Sequence, residues 1–341
     1  MKIIIDAMGG DNAPLEIVKG ALSAQKRFGC DIVLTGDEKA IRAAAARCGA
    51  ATLPQGVTLR PTTETVEMCD DPSKVFRHKK DTSMGVGLTL LRDGKADALV
   101  SAGSTGALLA GATLITKRIR GIRRAAMAPV IPTTGGKAVL IDCGANAECT
   151  PEYLMQFAYL GSFYASRVLG LERPRVGLLN IGAEDSKGTD LQRETLALLR
   201  KAGEEGHLNF IGNIEANTAL LGGADVIVAD GYSGNILLKT VEGAAKLLLG
   251  EMKKAFLSST KSKLGALLVK DSLGDVKKLL DPSEVGGTPF LGISKPVLKA
   301  HGSSDARAIR NAVFRAVEYA QSGIIADVEA HIDVMKVEKN G

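Results

Sequence analysis

The chain has 341 residues, 45% of them hydrophobic and 24% charged, the balance of a soluble globular protein rather than a disordered, fibrous or disulfide-scaffold one. Tryptophan is absent and aromatics make up 4%, which disfavours single-stranded nucleic-acid binding because stacked bases need aromatic faces. A net charge of +5 permits an anionic substrate or an acidic partner but is no nucleic-acid signature, and the length suits about two domains or one large discontinuous one.

The first apolar run, Ile3-Ile4-Ile5, meets Asp6 at once and is too short for the hydrophobic region of a signal peptide. The five cysteines are odd in number and contain no CxxC pair, so a reducing cytoplasm is expected. Short β-branched runs at Lys2–Ala7, Asp31–Gly36, Ala96–Gly103, Ala138–Gly144, Arg175–Gly182, Leu208–Gly212 and Ala224–Gly231 read as strands. Between them, Pro14–Phe28, Glu38–Arg47, Ser104–Ile119, Tyr153–Leu169, Leu191–Ala202 and Ser304–Gln321 carry helical periodicity. The alternation predicts an α/β fold with a largely parallel sheet. The uncharged run Ala98–Thr116 contains Ser101, Gly103, Ser104, Thr105 and Gly106, which suits strand, turn and helix better than a membrane span. Arg120, Arg123, Arg124, Pro129 and Pro132 mark a crossover between domains. Leu247–Leu280 is rich in both Leu and Lys, including Lys253 and Lys254. It reads either as an ordinary surface helical pair with a solvated basic face, as a dimer contact, or as an amphipathic surface for an acidic partner or an anionic membrane.

Most motif signatures fail. Gly182-Ala183-Glu184-Asp185-Ser186-Lys187-Gly188 places its Lys before the second Gly, unlike a P-loop, no G-x-G-x-x-G or G-x-S-x-G occurs, and the four His have no zinc spacing. No metal is expected. What remains is a set of polar, Gly-rich strand ends: Ser101–Leu108, Asp142-Cys143-Gly144-Ala145-Asn146, Asn180-Ile181-Gly182 and Asp230–Asn235. Such turns let backbone N–H groups and hydroxyls approach an anion such as phosphate, or merely let strand and helix pack closely. Together they favour a cleft handling an anionic group. His301, in Ala300-His301-Gly302-Ser303-Ser304-Asp305, reads as either structural or functional.

Asp6-Ala7-Met8-Gly9-Gly10-Asp11-Asn12-Ala13-Pro14, Ser101–Leu109, Ile141–Asn146, Leu178–Gly182 with Lys187-Gly188, Phe210–Glu215, Asp230–Asn235 with Lys239-Thr240 and Glu242-Gly243, Gly286-Gly287 and His301–Ser304 together resemble the bacterial phosphate acyltransferase family of phospholipid synthesis. The match runs in order through nearly the whole chain. Departures fall at Ser104, where the family usually has Asn, and at Val285 and Thr288, where Tyr and Ala are usual. The resemblance implies a two-domain α/β/α sandwich similar to phosphotransacetylases and isopropylmalate dehydrogenases. By fold analogy a discontinuous domain comprises 1–125 with about 285–341, and a second comprises about 126–284. The resemblance also implies a cytoplasmic homodimer with no cofactor that moves a long-chain acyl group from acyl carrier protein to inorganic phosphate. The acyl phosphate would serve a membrane glycerol-3-phosphate acyltransferase, and peripheral membrane contact is compatible with that role. On this basis phosphate binding is assigned to Ser104, Thr105 and Gly106 with Lys187, oxyanion stabilisation to Asn146 and Asn235, and phosphate orientation or thiolate protonation to His301. Carrier docking is assigned to Arg77, Lys79, Lys80, Lys253 and Lys254. A coenzyme A-dependent phosphotransacetylase, a non-catalytic carrier- or lipid-binding scaffold and an NAD-dependent decarboxylating dehydrogenase sharing the fold are the competing readings.

Overall fold

The computed structural model describes residues 1–280 and 286–337; Val285 lies outside the described residues. Among the described residues twelve strands form two sheets. The first has the order β3 (Val57–Pro61), β2 (Asp31–Gly36), β1 (Lys2–Asp6), β4 (Ala98–Ser101), β12 (Val297–Lys299), β11 (Thr288–Leu291), β5 (Ala126–Met127). The five strands from β3 to β12 are parallel, while β11 pairs antiparallel with both its neighbours. The second sheet runs β6 (Val130–Thr133), β7 (Gly136–Ile141), β10 (Val226–Val228), β8 (Arg175–Leu179), β9 (Asn209–Ile214), parallel apart from the β6–β7 pair.

Helices cover both faces of each sheet, and the side-chain alternation of β1 shows why. Ile3 and Ile5 pack into the cluster that holds Ile17 and Val18 of α1 (Leu15–Phe28) and Ile309 and Val313 of α12 (Ala306–Gln321). Ile4 points the other way, toward Leu88 of α4 (Ser83–Arg92) and Leu108 of α5 (Thr105–Gly111). A strand buried on both faces reads as a continuous apolar run, as β1 does; each buried Ile contributes roughly 1.5–3 kcal/mol. In the second sheet Val139, Val176 and Leu178 face α6 (Pro151–Leu169) and α7 (Asp190–Glu204). Leu140 and Ile227 face the opposite layer, where Leu237 of α9 (Gly231–Leu257) packs. The architecture is an α/β/α sandwich with largely parallel sheets, as expected.

The two sheets share one apolar cluster. At the seam, Gln156 is fully buried, with its oxygen accepting from Arg123 N–H and its amide donating to the carbonyls of Gly121 and Met335. Tyr164 meets Tyr319 edge-on, with ring centroids 6.1 Å apart.

The strand segments named from sequence all contain strands. The segment Ser104–Ile119 is helical only to Thr116 and changes character midway, from α5 to a π-helical turn over Ala112–Thr116. The Leu/Lys-rich segment is the distal part of α9 followed by α10 (Thr260–Leu268) and α11 (Lys270–Leu280). No described helix is long and apolar enough to cross a membrane.

Candidate active site

Sheet order reverses between β1 and β4, and in open α/β sheets ligands bind beyond the carboxyl ends of strands at such a point. The strand ends there carry polar residues in one rung: Asp6 of β1 pairs in register with Ser101 of β4, and Ser101 with Lys299 of β12. Asp6 is 1% exposed, and Ser101 Oγ donates to its Oδ2 at 2.6 Å. Burial pushes the Asp6 carboxyl above its usual range, opposed by hydrogen bonds from Ser101, Ser83 and the Met8 and Gly9 amides. The loops leaving these strands are tightly apposed. Asp11 N–H donates to Gly302 carbonyl at 2.8 Å, and Gly10, at φ +101°, would place a Cβ 2.9 Å from that same oxygen. Glycine is required there for both reasons.

Facing this floor are the ends of β7 and β10 in the second sheet. Asp142 is fully buried. Its Oδ1 accepts from the amides of Met127 at 2.9 Å, Cys143 at 2.6 Å and Ala145 at 3.3 Å. Its Oδ2 accepts from Asn146 N at 2.7 Å and Nδ2 at 3.0 Å. Because Met127 belongs to β5 of the first sheet, this one carboxylate ties the two sheets together at the cleft. Burial raises the Asp142 carboxyl, against the pull of those donors. Asp230 caps α9, accepting from Ser233 N–H and Oγ–H, both at 2.8 Å.

Between the two sets of strand ends lies a cleft of about 620 Å³. One wall is a face of α9 carrying Asn235, Leu238, Lys239, Glu242 and Ala245, residues spaced to lie on one side of a helix. Met127, Ile131 and Pro132 supply apolar surface opposite, while Ser104, Thr105, Lys299 and His301 line the polar end. The cleft is therefore amphiphilic. Lys239 Nζ is paired with Glu242 at 2.8 Å.

His301 Nδ1 accepts the Ser303 backbone N–H at 3.2 Å and is 2.9 Å from Ser303 Oγ. A backbone N–H only donates, so Nδ1 is the unprotonated nitrogen and the neutral ring carries its hydrogen on Nε2. Burial, then the positive charges of Lys239 and Lys299, push the His301 pKa below its ordinary value. At neutral pH His301 is thus a neutral hydrogen-bond donor rather than an imidazolium.

Of the residues singled out in the sequence, the cleft brings together Ser104, Thr105, Asn235 and His301. Ser104 also caps α5, with Oγ accepting from Ala107 N–H at 3.4 Å. Gly106 is outside the lining and gives room to Pro72, whose Cγ would stand 3.0 Å from an added Cβ. Asn146 needs correction as an oxyanion donor: its two amide hydrogens are committed to Ala125 carbonyl at 2.8 Å and to Asp142 at 3.0 Å. Lys187 is exposed on the loop after β8 and does not line the cleft. Lys79 is not a free docking charge, since Asp70 holds its ammonium at 2.7 Å; Arg77, Lys80 and Lys253 are exposed, and Lys254 is paired with Glu251 at 2.6 Å. Among the described residues no cluster of His, Cys, Asp or Glu is suited to a metal.

Sequence reasoning missed Lys299 and gave Asp6 and Asp142 no role of their own, although both stand in segments it singled out. A signal existed for each: Asp6 and Asp142 close runs of fully buried aliphatics, and Lys299 sits between Leu298 and Ala300, both 0% exposed. A charged residue embedded in a buried strand is seldom only solvated surface.

Over residues 1–327 the sequence matches the family described as "Fatty acid synthesis protein". A phosphate acyltransferase of Clostridioides difficile (strain 630) is 44% identical over 333 residues, covering 97% of this chain and 96% of the relative. One of Geobacillus sp. (strain WCH70) is 47% identical over 335 residues, covering 98% and 99%. Among solved structures, a phosphotransacetylase from Streptococcus pyogenes gives a TM-score of 0.65 at 18% identity over 94% of each chain, a likeness of fold alone. On the full-length sequence matches, the chain belongs to the fatty acid synthesis protein family, with enzymes named phosphate acyltransferase as its relatives.

Proposed function

We propose that the chain is an acyltransferase that moves a long-chain acyl group from acyl carrier protein to inorganic phosphate. The observation that carries this reading is the amphiphilic cleft: polar strand ends with Ser104, Thr105 and His301 meet an apolar wall containing Met127, Ile131, Leu238 and Ala245. A reaction joining an anion to a fatty acyl group needs those two surfaces side by side.

Phosphate is the nucleophile, so no acyl-enzyme is required. An oxygen of HPO₄²⁻ attacks the thioester carbonyl carbon, the P–O–C linkage forms, and the carbonyl electron pair moves to oxygen. As it returns, the C–S bond breaks with its electrons on sulfur, and the proton carried by phosphate ends on the thiol. Acyl phosphate and free carrier thiol are the balanced products. The protein's task is to position the two reactants and stabilise the oxyanion. Asn235 and the Nε2–H of neutral His301 supply donors at the cleft. Lys187 enters this scheme on the family resemblance alone: Lys187→Ala is expected to lower turnover about 100-fold with the fold intact, and retained activity removes it from the scheme.

Carrier docking is proposed at Arg77 and Lys80. The segment bearing them is tied to the cleft rim, because Lys79 Nζ also donates to Thr65 carbonyl at 3.1 Å and Thr65 lines the cleft. Paired reversals Arg77→Glu and Lys80→Glu are expected to raise the carrier KM about tenfold, more than Lys253→Glu with Lys254→Glu, and the wild-type value should climb with ionic strength. A carrier KM indifferent to both would remove electrostatic docking. Exposed Leu257, Leu264, Leu267 and Leu268 beside the lysines of α9 and α10 support peripheral contact with an anionic bilayer. The two sheets are read as two domains, 1–125 with 285–341 and 126–284, acting as a homodimer.

Phosphate-dependent appearance of free thiol, followed with palmitoyl carrier protein and palmitoyl coenzyme A in parallel, tests the reading. Faster release from the carrier supports it. Release from coenzyme A alone makes the protein a phosphotransacetylase, and carrier binding without release makes it a scaffold.

A further inference from the structure

Among the described residues two lysines line the cleft, Lys239 and Lys299, and they are in different electrostatic situations. Lys239 has Glu242 as its ion-pair partner. Lys299 has none among the described residues: its ammonium donates only to main-chain carbonyls, those of Ala102 at 3.3 Å and of Ala300. Those two carbonyls belong to residues directly after β4 and β12, so the ammonium is held over those strand ends, beside the point between β1 and β4 where the sheet order reverses. A desolvated cation bonded to neutral oxygens alone keeps most of its charge available, and an anion is the ligand that compensates it. Ser104 and Thr105 line the cleft on the neighbouring loop, and His301, two residues on, contributes a ring whose hydrogen is on Nε2.

We propose that Lys299 is the cation that receives phosphate, the tetrahedral oxyanion sitting at the joint ends of β4 and β12 against the Lys299 ammonium. This deepens the acyltransferase reading and rests on it for the identity of the anion as the reaction's nucleophile. Lys299 touches the substrate in this account and is a catalytic residue.

The charged groups around Lys299 come from every packed element: Asp6 and Asp11 from β1 and its following loop, Lys239 from α9, and His301 from its own loop, which in turn feels Glu242 and Lys246. Burial lowers the Lys299 pKa to about 8, with Asp11 and Asp6 opposing the shift and Lys239 adding to it. The protonated form binds the anion, so the Lys299 contribution to phosphate affinity is full only well below about pH 8 and is lost as the pH rises through that value. Bound phosphate, being negative, displaces this loss to higher pH.

The test uses the full-length protein, with Lys299→Met, Lys299→Arg and inorganic phosphate as the probe, read both by calorimetric titration and by the phosphate KM. Lys299→Met is expected to weaken phosphate about 30-fold in both readouts while the carrier KM stays within a few-fold, which also certifies the fold. Lys299→Arg is expected to retain phosphate binding and to flatten its decline above pH 8, because guanidinium does not titrate there. Unchanged phosphate affinity in Lys299→Met, or a wild type that binds no phosphate, overturns the proposal. Wild type that binds phosphate through Lys299 but forms no acyl phosphate leaves the anion site standing and overturns the acyltransferase reading instead.

Discussion

Replacing Asp142 by alanine is expected to destabilise the fold by about 3–5 kcal/mol and to abolish turnover. The carboxylate is fully buried and accepts from five donors belonging to Met127, Cys143, Ala145 and Asn146. Alanine leaves all of them without an acceptor, and each orphaned buried donor costs roughly 1–3 kcal/mol before relaxation. The damage is not confined to stability. The Met127 bond is a link between the sheets, and Cys143 and Gly144 form the cleft wall on the same loop, so losing the carboxylate frees the two halves of the site to move apart. Asp142→Asn keeps the shape but points an amide N–H₂ at groups that are themselves donors, and it is expected to recover little. Urea unfolding at constant m-value measures the loss; a change below about 1 kcal/mol for Asp142→Ala would contradict the bolt role.

The second large effect comes from one substitution made twice on the same helix. A Cβ added at Gly234 in the first turn of α9 would stand 2.0 Å from the Asp142 carbonyl oxygen, a contact that only backbone movement can relieve. Gly234→Ala is expected to cost about 3 kcal/mol or more and to push the adjacent Asn235 out of the cleft wall. At Gly243, nine residues further along, an added Cβ meets nothing within 4 Å. Gly243→Ala is therefore expected to stabilise by about 0.5–1 kcal/mol through helix propensity. The two melting shifts should have opposite signs; two stabilising alanines would mean that α9 does not press on the β7 loop.

The parts of the fold legible in the sequence were those whose physics is local. β1, β2, β4, β7, β8 and β10 are short, mainly aliphatic runs that end at or beside Gly, Asp, Asn or Ser, and burial on both faces keeps their apolar residues close together in sequence. β3, β5, β6, β11 and β12 escaped, β5 and β6 because they lie in the stretch read as a crossover between domains. Val57–Pro61 is an edge strand whose residues after Val57 are not buried, and β11 and β12 are short and accompanied by Pro289 and Pro296, which read as breaks. Their placement, returning after the whole second sheet to lie beside β4, is a long-range fact that no local pattern encodes. The site divides in the same way. Gly-rich strand ends and His301 announce themselves by residue type, whereas Asn146 looked like a donor for substrate because its spacing cannot reveal that Ala125 and Asp142 already occupy its amide. Lys79 looked free until Asp70 was found against it. Lys299 was passed over because a lysine ending a strand ordinarily snorkels into water; only the strand order shows that this one ends over the cleft.

Direct attack of phosphate on the thioester is tested by mixing the purified protein with palmitoyl carrier protein and ³²P-labelled inorganic phosphate, and resolving the lipid-soluble product. The predicted result is labelled acyl phosphate formed in proportion to carrier thiol released, destroyed by hydroxylamine to give palmitoyl hydroxamate, and absent when phosphate is omitted. Thiol release that proceeds without phosphate, or a product carrying no label, would contradict the account.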